Sequence, residues 1–423
     1  MLSPSLSALS IFLSCLLALT HAWLPNYPPP GTALPAFAAS KTTKIRGVNL
    51  GSLFIVEPWM ARNEWAAMGC GAAEAEFQCI RDAYGGNIDR ASEVWKKHWG
   101  TWITAADLDE MVGAGLNTIR IPVGWWMKED LVQPWEYFPR GGFAYLQNLC
   151  EHAASLGITQ TTPTSTNPTT KPPAPTSVLF PPHHQHQLTT TQSFLSWLAL
   201  AIHTHPSFRT VGALGLLNEP TFNSPLSPHT QWTLSTFYPT AIAAIRATEA
   251  HLSVPSPCLL TLTIMDDLWH DLSGATDPAA DVRPYQQHAL LFDDHNYQMS
   301  PVTNKTPAGV LAYACADDRR TARQPGARKL VGEWAMSVTQ KGAGFTPEVE
   351  NKRFWSAYFA AQQRSYERTR GWVWWAWKAE AGPRLGNWLQ WSYKGLVENG
   401  IVRRDLNAQL AAHPCAEYEG GIV

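Results

Sequence analysis

Two glutamates stand out in this chain because each one ends an apolar run. Glu219 comes shortly after the run Val211 to Leu217, and Glu333 comes shortly after Lys329-Leu330-Val331. Short apolar runs of this kind predict buried strands of a parallel sheet, so both carboxyl groups are expected at strand ends. In a barrel of alternating strands and helices, the carboxyl ends of the strands form the active-site face. The pattern is typical of a barrel hydrolase that presents a pair of catalytic carboxylates.

The elements that would position these glutamates alternate along the chain. The predicted strands are 45–50, 118–123, 211–217, 259–264, 289–293, 329–333 and 371–377. The predicted helices are 105–114, 143–156, 194–203, 230–249, 307–319 and 348–369. This α/β alternation predicts a (β/α)8 TIM barrel in a single domain, although a closed barrel needs one strand more than the seven strands found.

The missing third strand falls in a segment rich in threonine and proline, residues 159–192. Because proline donates no ladder hydrogen bond, we predict an irregular low-complexity segment in place of the strand. A Thr/Pro-rich segment is ordinarily a linker or an O-glycosylated stalk, but a stalk joins domains and this segment interrupts a repeating unit. A metal site at His183, His184 and His186 competes with that interpretation, yet no carboxylate or cysteine accompanies these histidines.

The interpretation that we favour is that residues 159–192 come from a mistaken reading frame or a retained intron in the gene model. The segment lacks the strand character that the neighbouring repeats share. A well-packed parallel strand formed by these residues would contradict this interpretation.

Composition narrows the class of protein. The chain has 423 residues, of which 45% are hydrophobic and 16% are charged, enough to bury a sizeable core in one large domain. The formal net charge is -2 and there is no run of Lys or Arg, so we expect no nucleic-acid partner and no anionic membrane partner. The expected partner is neutral, and the expected state is a monomer.

The N-terminal residues 1–22 predict a secretory signal peptide, with an apolar stretch followed by a small-residue cleavage site. Residues 23–43 would form an N-terminal extension, and residues 44–415 the barrel, interrupted at 159–192. A secreted, extracellular protein is expected. Six cysteines remain after the signal peptide, and an oxidising compartment permits disulfides. Cys70 and Cys79 could close one short loop, but connectivity cannot be deduced from sequence.

Six short motifs occur in the order seen in family 5 glycoside hydrolases, and this chain resembles that family. The motifs are Ile45-Arg46-Gly47-Val48-Asn49-Leu50-Gly51, Arg120-Ile121-Pro122-Val123, Asn218-Glu219-Pro220, His295-Asn296-Tyr297, Gly332-Glu333-Trp334 and Trp374-Trp375-Ala376-Trp377-Lys378. Two further stretches, 52–60 and 63–65, look most like the fungal endo-β-1,6-glucanases of the family. The resemblance fails at the Thr/Pro segment, where the family usually ends its third strand with an Asp-Leu-His-Gly-like string.

The resemblance implies retaining hydrolysis by double displacement with two glutamates. Glu219 would be the acid/base and Glu333 the nucleophile. Asn218 would bind the sugar 2-hydroxyl, a contact that strengthens in the transition state. Arg120 would favour the ionised form of the nucleophile through its opposite charge and its hydrogen bonds.

The remaining implied site residues follow later strands. His295 and Tyr297 would hydrogen-bond the catalytic carboxylates and keep their pKa values apart. Trp375 would form the floor under the reacting sugar, and only the resemblance favours it over Trp374 and Trp377. No cofactor and no metal is implied, because the two carboxylates supply the proton and nucleophile chemistry that hydrolysis needs.

The expected substrate is a β-glucan polysaccharide or oligosaccharide, and the resemblance favours internal cleavage of β-1,6-glucan. An exo-β-1,3-glucanase of the same family is one alternative, and its products would be single glucoses rather than a ladder of oligomers. A catalytically impaired glucan-binding wall protein is the other alternative, because the third-strand His motif is missing. Glu57 and Glu64, near the first barrel loop, are predicted to be solvated surface carboxylates.

Overall fold

The computed structural model describes residues 44–165, 182–220, 232–265, 290–298, 306–323, 329–337, 352–380 and 388–416. The strands in these ranges are β1 (Ile45–Asn49), β2 (Thr118–Arg120), β3 (Val123–Gly124), β4 (Thr159–Ser165), β5 (Val211–Gly215), β6 (Thr261–Met265), β7 (Leu290–His295), β8 (Lys329–Glu333) and β9 (Gly371–Trp374). The predicted signal peptide and N-terminal extension lie outside the described residues.

The helices in the described ranges lie between and after these strands. They are α1 (Arg62–Ala67), α2 (Glu76–Asp82), α3 (Ile88–Thr101), α4 (Ala105–Gly113), α5 (Gly142–Ser155), α6 (Pro182–Thr204), α7 (Tyr238–His251), α8 (Pro307–Arg323), α9 (Lys352–Tyr366), α10 (Tyr393–Glu398) and α11 (Leu406–Leu410). No helix of the described ranges is long and apolar enough to cross a lipid bilayer.

The strands close into a parallel barrel. The sheet order is β2-β1-β9-β8-β7-β6-β5-β4-β3, and a further pairing between β2 and β4 completes the ring. Strands β2 and β3 are two parts of the second barrel strand, so the ring has the eight positions of a (β/α)8 fold. The predicted TIM barrel is confirmed, and all seven predicted strands form within three residues of their predicted ends.

The prediction that residues 159–192 are irregular is wrong over most of the segment. Residues 159–165 form β4, which pairs in parallel with β2, β3 and β5. Residues 182–192 belong to α6, which begins at Pro182, the helix position where a missing N–H costs nothing. Residues 166–181 lie outside the described ranges. The parallel strand at 159–165 means that a missing third strand is no longer a reason to call the segment an artefact of the gene model, and the artefact interpretation itself stays a prediction.

Strand β4 tolerates its composition for identifiable reasons. Threonine is β-branched and favours strands, and Thr159 and Thr161 are buried in the barrel wall. Gln160 is fully buried, and its amide donates to the Cys150 carbonyl at 2.9 Å and to Thr210 Oγ1 at 3.1 Å. Pro163 follows the last β2–β4 register pair and precedes the first β3–β4 pair, so it lies where the second barrel strand is itself interrupted.

Three helices between β1 and β2 were not predicted. Helices α1 and α2 have six and seven residues, too few for a helical period to stand out from the sequence. The disulfide Cys70–Cys79 joins the end of this α1 region to α2, so the short loop that the sequence suggested is closed. A second disulfide, Cys315–Cys415, joins α8 to the C-terminal segment. Cys150 and Cys258 take no part in either disulfide.

Candidate active site

Glu333 ends β8 with its carboxylate fixed from two sides. Arg120, at the end of β2, donates from Nη1 to Glu333 Oε1 at 2.7 Å. Tyr297 donates its hydroxyl to Glu333 Oε2 at 2.8 Å. The glutamate side chain is only 5% exposed. Both carboxylate oxygens of Glu333 are therefore held in a fixed orientation and are largely shielded from solvent. A nucleophile needs such a fixed orientation toward the atom that it attacks.

Arg120 is the central cation of the site. It is buried at the end of β2 and also donates to Asn49 Oδ1 at 2.7 Å and to Asn218 Oδ1 at 2.6 Å. Its Nη2 lies 3.6 Å from Asp293 Oδ2. A Cβ added at Gly332 would lie 1.8 Å from Asp293 Oδ1, so glycine at this position leaves room for that carboxylate. The guanidinium is thereby fixed by groups from four other strands or strand ends.

Glu219 lies across the cleft from Glu333, just beyond β5. Its Oε1 lies 2.7 Å from His295 Nδ1, and its backbone has a positive φ of 42°. Its side chain is 57% exposed, so the carboxylate faces the solvent-filled cleft. One oxygen of Glu219, one oxygen of Glu333 and His295 Nδ1 all lie within 4.8 Å of one another.

His295 connects the two glutamates. Its Nδ1 is 2.7 Å from Glu219 and 3.3 Å from Glu333 Oε2, and its Nε2 is 3.3 Å from Arg120 Nη2. Arginine can only donate, so this last contact is a hydrogen bond when Nε2 carries no proton. That tautomer places the ring proton on Nδ1, which faces Glu219.

The surroundings shift the pKa of each of these three groups. The hydrogen bond with His295 lowers the pKa of Glu219. Burial raises the pKa of Glu333, although the charges of His295 and Arg120 oppose that rise. Burial alone would lower the pKa of His295, but the charge of Glu333 and the bond to Glu219 outweigh it, so this pKa is raised. The pKa of Glu219 is thus shifted down and that of Glu333 up, the reverse of what a protonated acid at Glu219 and an ionised nucleophile at Glu333 require.

Six of the seven predicted site residues are joined in one hydrogen-bonded cluster. They are Arg120, Asn218, Glu219, His295, Tyr297 and Glu333. Trp375 follows β9, and its backbone N–H donates to the carbonyl of Trp334, the residue after Glu333, at 2.9 Å. Trp374 packs on Phe359 of α9, and Trp377 donates its indole N–H to Asp107 of α4. These contacts direct Trp374 and Trp377 toward the helix layer and leave Trp375 as the candidate for the cleft.

Two functional residues were missed. Asn49, at the end of β1, donates from Nδ2 to the carbonyls of Gly332 and Trp374 while its Oδ1 accepts from Arg120. Asn49 is a polar residue at the end of an apolar strand, and the same pattern had marked Glu333 as a candidate site residue. Glu57 was predicted to be a solvated carboxylate, which is wrong because it is half-buried beside the site.

Glu57 is a third carboxyl group close enough to Glu219 and Glu333 for their charges to act on it. Burial and the charge of Glu333 raise the pKa of Glu57 to about 8, so its side chain is mostly protonated at neutral pH. The Trp59 indole donates to Glu57 Oε2 at 2.6 Å, and the Trp59 ring meets Trp391 edge-on at 5.4 Å. Glu64, the other predicted surface carboxylate, is half-buried and bonded to the buried His98 at 2.8 Å.

The Glu219, His295 and Glu333 ligand atoms are close enough to hold a divalent metal ion by distance alone. Arg120 nevertheless places a permanent positive charge against Glu333, and Tyr297 donates to its other oxygen. These contacts oppose a second cation and suit an acid and nucleophile pair better.

Comparisons with known proteins agree with this geometry. Residues 81–381 match the family model described as cellulase (glycosyl hydrolase family 5). A probable glucan endo-1,6-beta-glucosidase B of Aspergillus terreus is 37% identical over 415 residues, which cover 94% of this chain and 96% of that protein. The glucan endo-1,6-beta-glucosidase B of Emericella nidulans is 36% identical over 431 residues, covering 96% and 99%. The crystal structure of rutinosidase from Aspergillus niger superimposes with a TM-score of 0.62 at 19% identity, covering 86% of this chain and 99% of that one, a likeness of fold alone.

Proposed function

We propose that this chain, which belongs to glycosyl hydrolase family 5, cleaves β-1,6-glucan within the polymer and retains the anomeric configuration. As a member of that family the protein is a glycoside hydrolase, and its relatives make it a glucanase. The observation that carries the proposal is the separation of at most 4.8 Å between an oxygen of Glu219 and an oxygen of Glu333. Retaining glycosidases hold their two carboxyl groups about 5 to 5.5 Å apart, whereas inverting enzymes need room for a water between them.

The reaction proceeds in two displacements. Glu333 attacks the anomeric carbon while Glu219 gives a proton to the departing glycosidic oxygen, which leaves a glycosyl ester on Glu333. Water then attacks the same carbon, Glu219 takes its proton, and Glu333 leaves as a carboxylate. Arg120 and Tyr297 stabilise the carboxylate that forms in this second step.

His295 sets the orientation of the acid before the first step. In the tautomer of His295 that accepts from Arg120, the Nδ1–H faces Glu219 Oε1 at 2.7 Å, and this hydrogen bond lowers the pKa of Glu219. A glucan chain in the cleft displaces water from the exposed side of Glu219, and desolvation favours its neutral form. Glu219 thus takes up a proton from solvent and gives it to the leaving oxygen, while His295 keeps its Nδ1 proton.

Asn218 contributes orientation to the reacting sugar. Its Oδ1 accepts from Arg120 at 2.6 Å, which fixes the amide plane and leaves Nδ2 as a donor. That donor binds the 2-hydroxyl of the sugar attacked by Glu333. Trp375 supplies the apolar floor below that sugar ring.

Secretion is part of the proposal. Disulfides form and persist in oxidising compartments, and the pairs Cys70–Cys79 and Cys315–Cys415 support an extracellular location. The β-1,6 linkage is supported by the names of the two fungal relatives, because nothing in the cluster around Glu219 and Glu333 selects a linkage. We propose a monomeric enzyme with β-glucan as its partner.

Product analysis tests the substrate and the mechanism together. Purified protein incubated with β-1,6-glucan is expected to release a ladder of oligomers, and early NMR spectra are expected to show the β-anomer first. Release of single glucoses from β-1,3-glucan would instead favour the exo-acting alternative. Binding of glucan without any product would favour the impaired wall protein that lacks the third-strand histidine.

The variant His295→Gln is expected to move both limbs of the pH profile of kcat/KM to higher pH. The hydrogen bond with His295 lowers the pKa of Glu219, so its loss raises that pKa and the acid stays protonated at higher pH. The charge of His295 also lowers the pKa of Glu333, so the nucleophile of the variant ionises later as the pH rises. The measurement is kcat/KM against pH on a soluble glucan, which reports the free enzyme.

Tyr297→Phe is the matched control for this profile. It removes a hydrogen bond that lowers the pKa of Glu333 alone, so only the acidic limb is expected to move. An alkaline limb that stays unchanged in His295→Gln would contradict the assignment of His295 as the partner of the acid.

A further inference from the structure

An exposed tryptophan stands at the tip of a closed turn on the catalytic face of the barrel. Trp135 is 64% exposed, the highest value among the large hydrophobic side chains in the described ranges. It lies in the loop that joins β3 to α5, and loops that follow barrel strands lie at the face that carries Glu219 and Glu333. A single exposed hydrophobic residue is common on a protein surface and by itself indicates no function. The conformation and the contacts of the loop that carries Trp135 are therefore the relevant evidence.

The turn that carries Trp135 is closed twice. The backbone N–H of Glu136 donates to the Gln133 carbonyl at 2.9 Å, and the Gln133 N–H donates to Glu136 Oε2 at 2.9 Å. Pro134 occupies the second turn position, where its fixed φ favours a β-turn. Trp135 takes the third position, so its indole is held away from the core by a restricted backbone.

The residues after the turn are anchored to the barrel. Tyr137 packs edge-on against Phe77 with ring centroids 5.4 Å apart. Phe138 is buried and stacks on Trp126, which follows β3, at 4.5 Å and an interplanar angle of 11°. Two aromatic neighbours in sequence are thus used for packing, whereas Trp135 is directed to solvent. Position 135 thus has a large apolar side chain that is neither buried with its neighbours nor replaced by a polar one.

We propose that Trp135 is a stacking platform that binds a β-glucan chain outside the catalytic cleft. This inference rests on the proposed glucan substrate and adds a second point of contact with the polymer. A rigid indole offers a flat apolar face at small entropic cost, and the C–H face of a glucopyranose ring is its complement. The net charge of -2 offers no charge attraction to a neutral polysaccharide, so apolar stacking is the suitable means of capture.

The test separates capture of the polymer from chemistry. In a Glu333→Gln background, which cannot consume the ligand, Kd for soluble β-1,6-glucan is measured by affinity gel electrophoresis. Trp135→Ala is expected to weaken binding roughly three- to tenfold, the range of one aromatic contact, and Trp135→Phe to restore part of it. Leu200→Ala, which truncates another exposed apolar side chain on α6, is the matched control and is expected to bind like its parent.

Kinetics in the active background complete the test. Trp135→Ala is expected to lower kcat/KM on the polymer and to leave kcat/KM on a short aryl glucoside unchanged. Equal losses on both substrates, or a Trp135→Ala variant that binds the polymer as its parent does, would overturn the platform. If the parent neither binds nor cleaves any β-glucan, the proposed function itself fails. Binding and cleavage of β-1,3-glucan alone, with the same dependence on Trp135, would support the platform and overturn the linkage.

Discussion

The variant Glu333→Gln is expected to lower kcat on β-glucan by about 10⁴-fold or more, because an amide cannot form the glycosyl ester. Its shape and its contact with Arg120 are nearly preserved, so folding should be unaffected. Glu219→Gln is expected to lose a similar factor on glucan, since a sugar alkoxide leaves poorly without a proton. On an aryl glucoside with an acidic phenol, the first step needs no proton, and a much smaller loss of that step is expected.

The measurement is kcat on both substrates for both variants, with a burst of phenol expected from Glu219→Gln. Glu93→Gln is the matched isosteric control, because Glu93 is 72% exposed on α3 and its one ion pair within the described ranges is with Lys96. A Glu333→Gln protein that keeps more than a hundredth of the wild-type activity would place the nucleophile elsewhere. If Glu333→Gln, rather than Glu219→Gln, kept most of its activity on the aryl glucoside, Glu333 would be the acid/base and Glu219 the nucleophile.

The variant Arg120→Met is expected to unfold with a free energy lower by about 3 to 5 kcal/mol, because it leaves buried carboxylates without their cation. Glu333 and Asp293 both lie against the guanidinium and are at most 5% exposed. Activity should also fall by about 100-fold or more, since a preorganised charge at the nucleophile is lost. Arg120→Lys keeps the charge but lacks the planar fork that reaches Asn49, Asn218 and Glu333 together, so an intermediate loss is expected.

Urea unfolding followed by tryptophan fluorescence at pH 5 and pH 8 measures this effect. Without Arg120 the pKa of Glu333, already raised by burial, rises further above its unfolded value. A group of this kind destabilises the fold as the pH rises through its folded pKa, so the deficit should be larger at pH 8. Arg209→Met, which breaks an exposed pair with Glu151, should cost less than about 1 kcal/mol. A deficit of Arg120→Met that did not depend on pH would contradict the role of unpaired carboxylates.

Much of the barrel could be predicted because its strands are buried on both sides. All five residues of β8 are buried, so the sequence reads as a continuous run ending in a carboxylate. The same logic located Glu219 at a strand end, whereas the role of Arg120 came from the resemblance to a family. The resemblance to a family then supplied His295 and Tyr297, which no periodic pattern would have marked.

The third strand, β4, was missed because the Thr/Pro-rich composition of the segment was given more weight than its place after the helix that precedes it. Proline was taken to exclude a central strand, yet Pro163 lies beside the interruption between β2 and β3, where the ladder is already broken. A proline is tolerated in a central strand where the neighbouring strand offers no backbone hydrogen bond opposite it. Which neighbour lies there is decided by the tertiary fold and cannot be read from the sequence of one strand. Glu57 was misjudged for a related reason, since its burial depends on loops that meet only in the folded barrel.

Asn49 takes part both in closing the barrel and in positioning the residues of the candidate active site. One side-chain amide ties the first strand to the last two through the carbonyls of Gly332 and Trp374, and the same amide orients Arg120. The junction between the first and the last two barrel strands is thus stabilised by the same side chain that orients Arg120 toward Glu333. We therefore expect that separation of β1 from β8 and β9 would displace Arg120 from Glu333 and abolish activity.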